Sequence, residues 1–389
     1  MLVQKWKTQR KQETSMKRYG NLFASIACEK NIETALANAS QGKKDYEEVK
    51  DVYKDEGYFL KQIKEMLDEK TYVCSPYIMF TKTDRDKERE IAKLPFFPDR
   101  IIQHAILQVT EPIWKASLIN QTYQSIKGRG VHSCLAKVTK AVQEDKVKYC
   151  LQIDVKKFYP SIDTEILKEV VRRKIKCKDT LWLLDAIIDG SEGIPIGNYI
   201  SQYFGNLFLS RLDHSIKEMF RIKNYFRYCD DILIMSNDKE ELWRILEFIE
   251  GHFKDINLKV KENHQLYQIG DRGVSCLGYI VYRNRVDLKR NIIENFSKKL
   301  HKMERAKRVN MKSLGSYYGW FKHCDSYGLW IKLTDRLSKN VSRVDANLLN
   351  KLTTKLKYKS GVANAYRKKQ HKARPTSEAS RKASSECSG

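Results

Sequence analysis

Two adjacent aspartates, Asp230 and Asp231, interrupt an apolar run that reads Phe226-Arg227-Tyr228-Cys229-Asp230-Asp231-Ile232-Leu233-Ile234-Met235. Apolar residues on both sides of a polar pair predict a strand, a tight turn and a second strand, with the carboxylates at the tip. Adjacent carboxylates repel, and burying them is costly unless a positive charge neutralises them. A hard divalent cation is the matching partner for oxygen ligands. An Asp-Asp pair is also a common solvated turn, so the dipeptide alone leaves both readings open.

A second stretch, Lys148-Tyr149-Cys150-Leu151-Gln152-Ile153-Asp154-Val155, is another short strand-like run, and it ends on a carboxylate. Two-metal phosphoryl transfer needs carboxylates brought together from separate strands, to clamp the attacking and leaving oxygens. Asp154 beside a hairpin carrying Asp230 and Asp231 supplies such a set. The segment between them has room for a helix and a connecting loop. This is the layout of a polymerase palm.

The elements that position these residues belong to a large, basic chain. Its 389 residues allow two or three domains and a sizeable core. The formal net charge is +25, from 73 basic and 48 acidic residues. That excess favours a polyanionic partner, nucleic acid before anionic membrane. No apolar run approaches the roughly 18 residues of a membrane span. The first residues are polar and basic, so no secretory signal is expected there. Nine scattered cysteines without Cys-x-x-Cys spacing indicate neither a disulfide framework nor a zinc site, and a cytoplasmic setting is expected.

Periodicity predicts helices over 19–37 and 45–68, after a flexible basic lead-in at 1–15. Apolar runs on either side of the charged stretch 82–90 predict a hairpin. Its basic tip reads either as a triphosphate clamp, with Lys87 and Arg89 as donors, or as a plain solvated turn. Asp99 is expected to cap the helix that follows Pro98. The loop Lys127-Gly128-Arg129-Gly130 suits phosphate contact and leads into another helix. Asp163 is expected to cap an amphipathic helix over 164–175. A glycine-bearing loop at 193–202 opens a helix over 201–220. A helix over 239–253, a strand at 258–261 and one or two strands in 274–282 complete an antiparallel sheet with helices on one face. Two basic, aromatic-faced helices are expected over 292–307 and 311–324. The domain reading is N-terminal helices and fingers at 16–147, palm at 148–288, helical thumb at 289–350 and a basic, disordered tail at 351–389.

In order along the chain, these motifs resemble those of reverse transcriptases. Tyr228-Cys229-Asp230-Asp231 looks like their Tyr-x-Asp-Asp box, and Leu151 to Ile162 resembles the first palm motif with its metal aspartate at Asp154. Asp99 to Ala105 and Lys127 to Gly130 resemble finger motifs of the group II intron-like prokaryotic branch, and Cys276-Leu277-Gly278-Tyr279 a primer-grip strand. Ile196-Gly197-Asn198-Tyr199-Ile200-Ser201-Gln202 departs from the usual Gln-Gly-x-x-x-Ser-Pro. That form resembles the reverse transcriptases of diversity-generating retroelements, as do Tyr19 to Leu22 and Ser316 to Trp320.

The resemblance implies an α+β right-hand polymerase with fingers, palm and helical thumb. It implies an RNA-directed DNA polymerase that copies a template-repeat RNA with errors at adenines, for mutagenic retrohoming. The alternatives are a group II intron, retron or defence-associated enzyme and, further off, a non-catalytic RNA-binding module. Asp154, Asp230 and Asp231 would be catalytic. Together with Val155 they would hold two Mg²⁺, with Mn²⁺ as a substitute. Lys87, Arg89, Phe158, Tyr159, Ile196 and Gly197 would line the dNTP site, with Tyr159 as the gate against a ribose 2′-hydroxyl. Arg129, Gln202, Tyr228, Leu277 and Gly278 would contact template or primer. Lys261 is a candidate for protonating pyrophosphate. The implied partners are template RNA, a DNA primer, dNTPs and a small basic helical oligomer, the accessory variability determinant.

Overall fold

The computed structural model describes residues 17–84, 87–270 and 272–372, with the backbone alone at 82–84, 87, 89 and 358–372. The expected lead-in at 1–15 and the end of the expected tail therefore lie outside the described residues. Two compact units emerge. One comprises the chain to Cys134 together with Val147–Gln268; the other comprises Leu135–Lys146 and the chain from Ile269 onward.

The first unit opens with α1 (Phe23–Ile26), α2 (Glu29–Ala39), α3 (Glu47–Lys54) and α4 (Glu56–Asp68). The two long helices predicted from periodicity are thus four shorter ones. Asp55 breaks the second of them, because its side chain accepts from the Tyr58 amide at 3.3 Å and starts a new helix. The hairpin β1 (Ile78–Asp84) and β2 (Lys87–Lys93) follows, antiparallel and in register from Ile78↔Lys93 to Asp84↔Lys87. Next comes α5 (Ile101–Ser117), which is buried along most of its length. Asp99 does not cap it. Its side chain is fully buried, and its Oδ1 accepts from the Tyr72 hydroxyl at 2.8 Å and the Ser75 amide at 3.1 Å, tying down the segment before β1.

The helix α6 (Val131–Gln143) is divided between the two units, and β3 (Tyr149–Asp154) returns to the first. Then come α7 (Thr164–Arg172), α8 (Lys178–Ile188), α9 (Ser201–Phe208), α10 (Ser210–Met219), β4 (Asn224–Tyr228), β5 (Asp231–Ser236), α11 (Lys239–Asp255) and β6 (Gln265–Gln268). Asp163 caps α7 as expected, accepting from the Ile166 amide at 3.0 Å. The helix predicted over 201–220 breaks at Leu209, and α8 had no counterpart in the sequence reading. The sheet is antiparallel throughout, in the order β4-β5-β3-β6. Its fourth strand is β6. The stretch predicted as a strand at 258–261 contributes only an isolated bridge, Val155↔Val260. Helix α11 packs on β3 and β5, α7 and α9 pack on each other, and Leu167, Phe204 and Ile245 of the three belong to one core, all essentially without exposure.

The second unit holds a separate three-stranded antiparallel sheet, β7 (Val274–Cys276), β8 (Tyr279–Val281) and β9 (Val286–Leu288). These strands were expected in the palm, and they group instead with the C-terminal helices α12 (Arg290–Arg305), α13 (Met311–Phe321), α14 (Tyr327–Asn340) and α15 (Arg343–Lys372). Phe296, Phe321 and Trp330 pack together in this bundle, Phe296 stacked on Trp330 and Phe321 edge-on to Trp330, with ring centroids 5.2–5.5 Å apart. The disordered tail expected from 351 is corrected as far as Lys372: its backbone continues the helix begun at Arg343, and no proline interrupts it there. No helix among the described residues is long and apolar enough to cross a membrane.

Candidate active site

The central ladder sets Asp154, the last residue of β3, directly opposite Asp231, the first residue of β5. Tyr228 pairs with Asp231 as well, so the turn between β4 and β5 is only Cys229–Asp230. Of the expected pair at the tip, Asp230 is in the turn and Asp231 has already joined the strand. Cys229 has a positive φ of 59°. A side chain there costs about 1–2 kcal/mol, a strain that the surroundings must hold.

Those surroundings are a buried polar network that the sequence reading missed. Arg227 and Asp213 are both fully buried. Arg227 donates through Nε and Nη2 to the two Asp213 oxygens at 2.7 and 2.6 Å. Its Nη1 donates to the carbonyl of Cys229 at 3.1 Å, gripping the strained turn from behind. Nη2 also reaches the carbonyl of Asn206 at 3.1 Å. Asp213 accepts further bonds from the Tyr225 hydroxyl at 2.6 Å and the Thr122 hydroxyl at 3.1 Å. With so many partners the pair is satisfied, which a buried ion pair requires. The one available signal was an arginine inside an otherwise apolar strand, where burial demands an acid elsewhere.

Asp154 and Asp230 face each other across the strand ends. Burial, and then the charge of Asp154, push the Asp230 carboxyl above its ordinary range, against opposition from its own backbone amide and Lys261. Lys261 donates to Asp154 Oδ2, while Asp154 Oδ1 is buried without a hydrogen-bond partner. The two carboxylates have one ammonium, Lys261, between them, and one Asp154 oxygen is left without a partner. Among the described residues no three His, Cys, Asp or Glu side chains converge as a metal cage. Mg²⁺ ordinarily takes only one or two carboxylates and completes its shell with water and substrate phosphates, so the donor set fits that ion. Asp231, opposite Asp154 in the ladder, is exposed. The Val155 bridge is made by the Asp154 carbonyl and the Lys156 amide, which leaves the Val155 carbonyl outside its hydrogen bonds.

Around this centre, Tyr159 is half-buried, and its hydroxyl accepts from the Cys229 thiol at 3.1 Å. Burial, then Cys229, raises its pKa and keeps it a neutral phenol. Phe158 is 3 % exposed and belongs to the core. A Cβ on Gly205 would lie 3.0 Å from Phe158 and 3.2 Å from Tyr159, so α9 presses on the aromatic pair because that position is glycine. Ile196 is 39 % exposed, and its carbonyl accepts from the Ala92 amide of β2 at 3.1 Å. Gly197, at φ 132°, sits so close to that strand that a Cβ would lie 2.3 Å from the Ala92 carbonyl oxygen. The loop is therefore docked on the hairpin that carries Lys87 and Arg89, whose side chains are outside the described residues.

Gln202 is exposed and bonded to Ser125. Tyr228 is half-buried at the end of β4. Arg129 turns its guanidinium back onto its own loop, donating to the carbonyls of Ile119 at 2.7 Å and Thr122 at 3.3 Å and to the Asn120 side chain at 3.1 Å. That arrangement makes it a brace of the loop in this conformation. Leu277 and Gly278, both at positive φ, form the two-residue turn between β7 and β8 in the second unit.

Protein YkfC of Escherichia coli (strain K12) is 26% identical over 141 residues, covering 33% of this chain and 37% of that protein. Retron Ec73 reverse transcriptase of Escherichia coli is 28% identical over 169 residues, covering 40% and 52%. The chain thus spans about half or less of the curated relatives it matches. Apo telomerase from Candida tropicalis resembles it at a TM-score of 0.46 and 14% identity, over 75% of this chain and 59% of that one. The family model described as reverse transcriptase (RNA-dependent DNA polymerase) matches residues 80–281, from the first finger strand through the Asp154, Asp230 and Asp231 motifs to β8. Matched over more than half its length, the chain belongs to the reverse transcriptase family.

Proposed function

We propose that this chain is an RNA-directed DNA polymerase that extends a DNA primer on an RNA template, with the Asp154–Asp230 pair as its catalytic centre. The observation that carries the reading is that pair: two close carboxylates with the single Lys261 ammonium between them and one Asp154 oxygen unpartnered, at a strand end and a strained turn, inside a reverse transcriptase match. Two Mg²⁺ ions bound there would acidify the primer 3′-hydroxyl and neutralise the leaving pyrophosphate. Asp154 and Asp230 supply the oxygens, with the Val155 carbonyl and Asp231 as further donors. Lys261, on Asp154, holds that carboxylate in place, which is a different role from protonating pyrophosphate. Tyr159 sets its ring beside the turn, as a gate against a ribose 2′-hydroxyl requires.

Within that activity we favour mutagenic copying of a template repeat, as in diversity-generating retroelements, assisted by a small basic accessory protein. Support comes from Ile196, an exposed apolar side chain where the usual Gln-Gly-x-x-x-Ser-Pro motif would have a glutamine. A second reading, copying of a retron-type template, is favoured by the similarity to retron Ec73 reverse transcriptase. Primer extension on RNA with Mg²⁺ and dNTPs, with and without a candidate accessory protein, tests both. Extension should vanish in Asp230→Asn, and sequenced cDNA should carry errors opposite template adenines. Accurate cDNA would move the assignment to the retron branch. Extension surviving in Asp230→Asn would remove Asp230 from the catalytic centre.

A further inference from the structure

Away from the aspartates, the first unit contains a recess bounded by the segment between α2 and α3, the start of α5 and the Gly197–Tyr199 loop. Its cavity volume is about 70 Å³, and it opens to solvent. Its charged lining is three cations, Lys43, Lys93 and Arg100, against the single carboxylate of Glu48. Glu48 is already engaged, pairing with Lys93 and accepting from the Phe96 amide at 3.2 Å. Gln103 is 1 % exposed, and its Oε1 accepts from the Tyr199 and Ile200 amides at 3.0 and 3.4 Å. The Nε2 donor of Gln103 is buried without a hydrogen-bond partner, and so is Nε of Arg100. Burial, then Arg100 and Lys93, lower Lys43 to about 8, against the opposing pull of Glu48.

Buried donors without acceptors and neighbouring like charges are both unfavourable, and one oxyanion relieves both. We propose that this recess binds a phosphate group, held by Lys43, Arg100 and Gln103. The phosphate comes either from a polynucleotide backbone or from a nucleotide triphosphate. The site is argued from its own donors; only the choice of these two sources rests on the polymerase reading.

The test is binding in EDTA, so that it reads no metal-dependent chemistry and stays separate from the extension assay. A fluorescent RNA-template/DNA-primer hybrid is titrated with the full chain across a salt series, beside dATP binding followed by tryptophan fluorescence. The variants are Lys43→Gln, Lys43→Arg and the surface control Lys298→Gln. Loss of one phosphate contact should weaken the affected ligand roughly 3- to 10-fold and flatten the salt slope by about 0.7–0.9. Lys43→Arg should restore binding. If the phosphate is in the strand, one methylphosphonate position in the hybrid should weaken wild type by the same factor and leave Lys43→Gln unaffected. If it is in the nucleotide, Lys43→Gln should weaken dATP alone. Lys43→Gln behaving like Lys298→Gln with both ligands would overturn the proposal, whether or not the chain extends primers.

Discussion

Arg227 is fully buried, yet it binds the carbonyl of the strained Cys229 and is itself fixed by Asp213. Replacing Asp213 with asparagine keeps the shape and leaves a buried guanidinium without its counter-charge. Breaking a buried pair in this way costs about 3–5 kcal/mol. Asp213→Asn is therefore expected to lower the unfolding free energy by that order in a denaturant titration. It should also reduce the extension rate at temperatures where the variant stays folded. Ile196 gives a prediction of the opposite kind. Its exposed side chain cannot hydrogen-bond a base pair, so Ile196→Gln should lower misincorporation opposite template adenine. A discrimination of about 1–3 kcal/mol corresponds to roughly 10- to 200-fold. An unchanged adenine error ratio in sequenced cDNA would refute this.

The Ile194–Tyr199 loop joins the β1–β2 hairpin to the sheet side of the first unit, and its glycine permits the contact. Gly197→Ala must push the loop off β2, because the added carbon would meet the Ala92 carbonyl oxygen at 2.3 Å. The expected result is a higher KM for dNTP and a slower extension rate, with little loss of thermal stability, read from steady-state kinetics beside a melting curve. At the other end of the loop, Tyr199 stacks on His104 of α5 at 3.9 Å. Burial, then Arg100 and Lys43, holds His104 down to about 4, well below the ordinary 6.5. The unfolded chain thus takes up a proton at this position near pH 6.5, while the folded chain resists until about 4. This contribution to stability is present above 6.5, falls as the pH drops through that window and is flat below it. The full span is at most about 3 kcal/mol. His104→Phe should flatten that part of the pH–stability curve relative to wild type, as measured by denaturation at stepped pH.

Across the whole molecule, the net charge of +25 makes salt the natural probe of nucleic-acid binding. Affinity for a primer–template should fall steeply and log-linearly with salt, by a slope of about 0.7–0.9 per phosphate contacted. KM for dNTP should move much less over the same range, which a KCl series of extension assays will show. The reverse transcriptase match runs across both compact units, ending in β8, so the family's sequence signature and the contact grouping divide the chain differently.

The motif carboxylates, the hairpin at 78–93, the cap at Asp163 and the helix at 239–255 were all legible in the sequence. Each depends on neighbours within a few positions: alternation, a turn pair, a capping oxygen or a helical stripe. Helix breaks at Cys28 and Leu209, the bond of Asp99 to Tyr72 and the role of β6 were not legible. They depend on partners distant in the chain, and local pattern carries no trace of a partner's position. The same division separates the two buried polar clusters from the motif aspartates. By itself the sequence determined that Asp154, Asp230 and Asp231 would sit at strand ends and a turn, because alternation and turn chemistry are local. Only the tertiary structure decided that Arg227 would close on Asp213, and that Lys43, Arg100 and Gln103 would face one recess. Those groups are charged or polar, and burial alone turns their pairing, or the lack of it, into a large free energy.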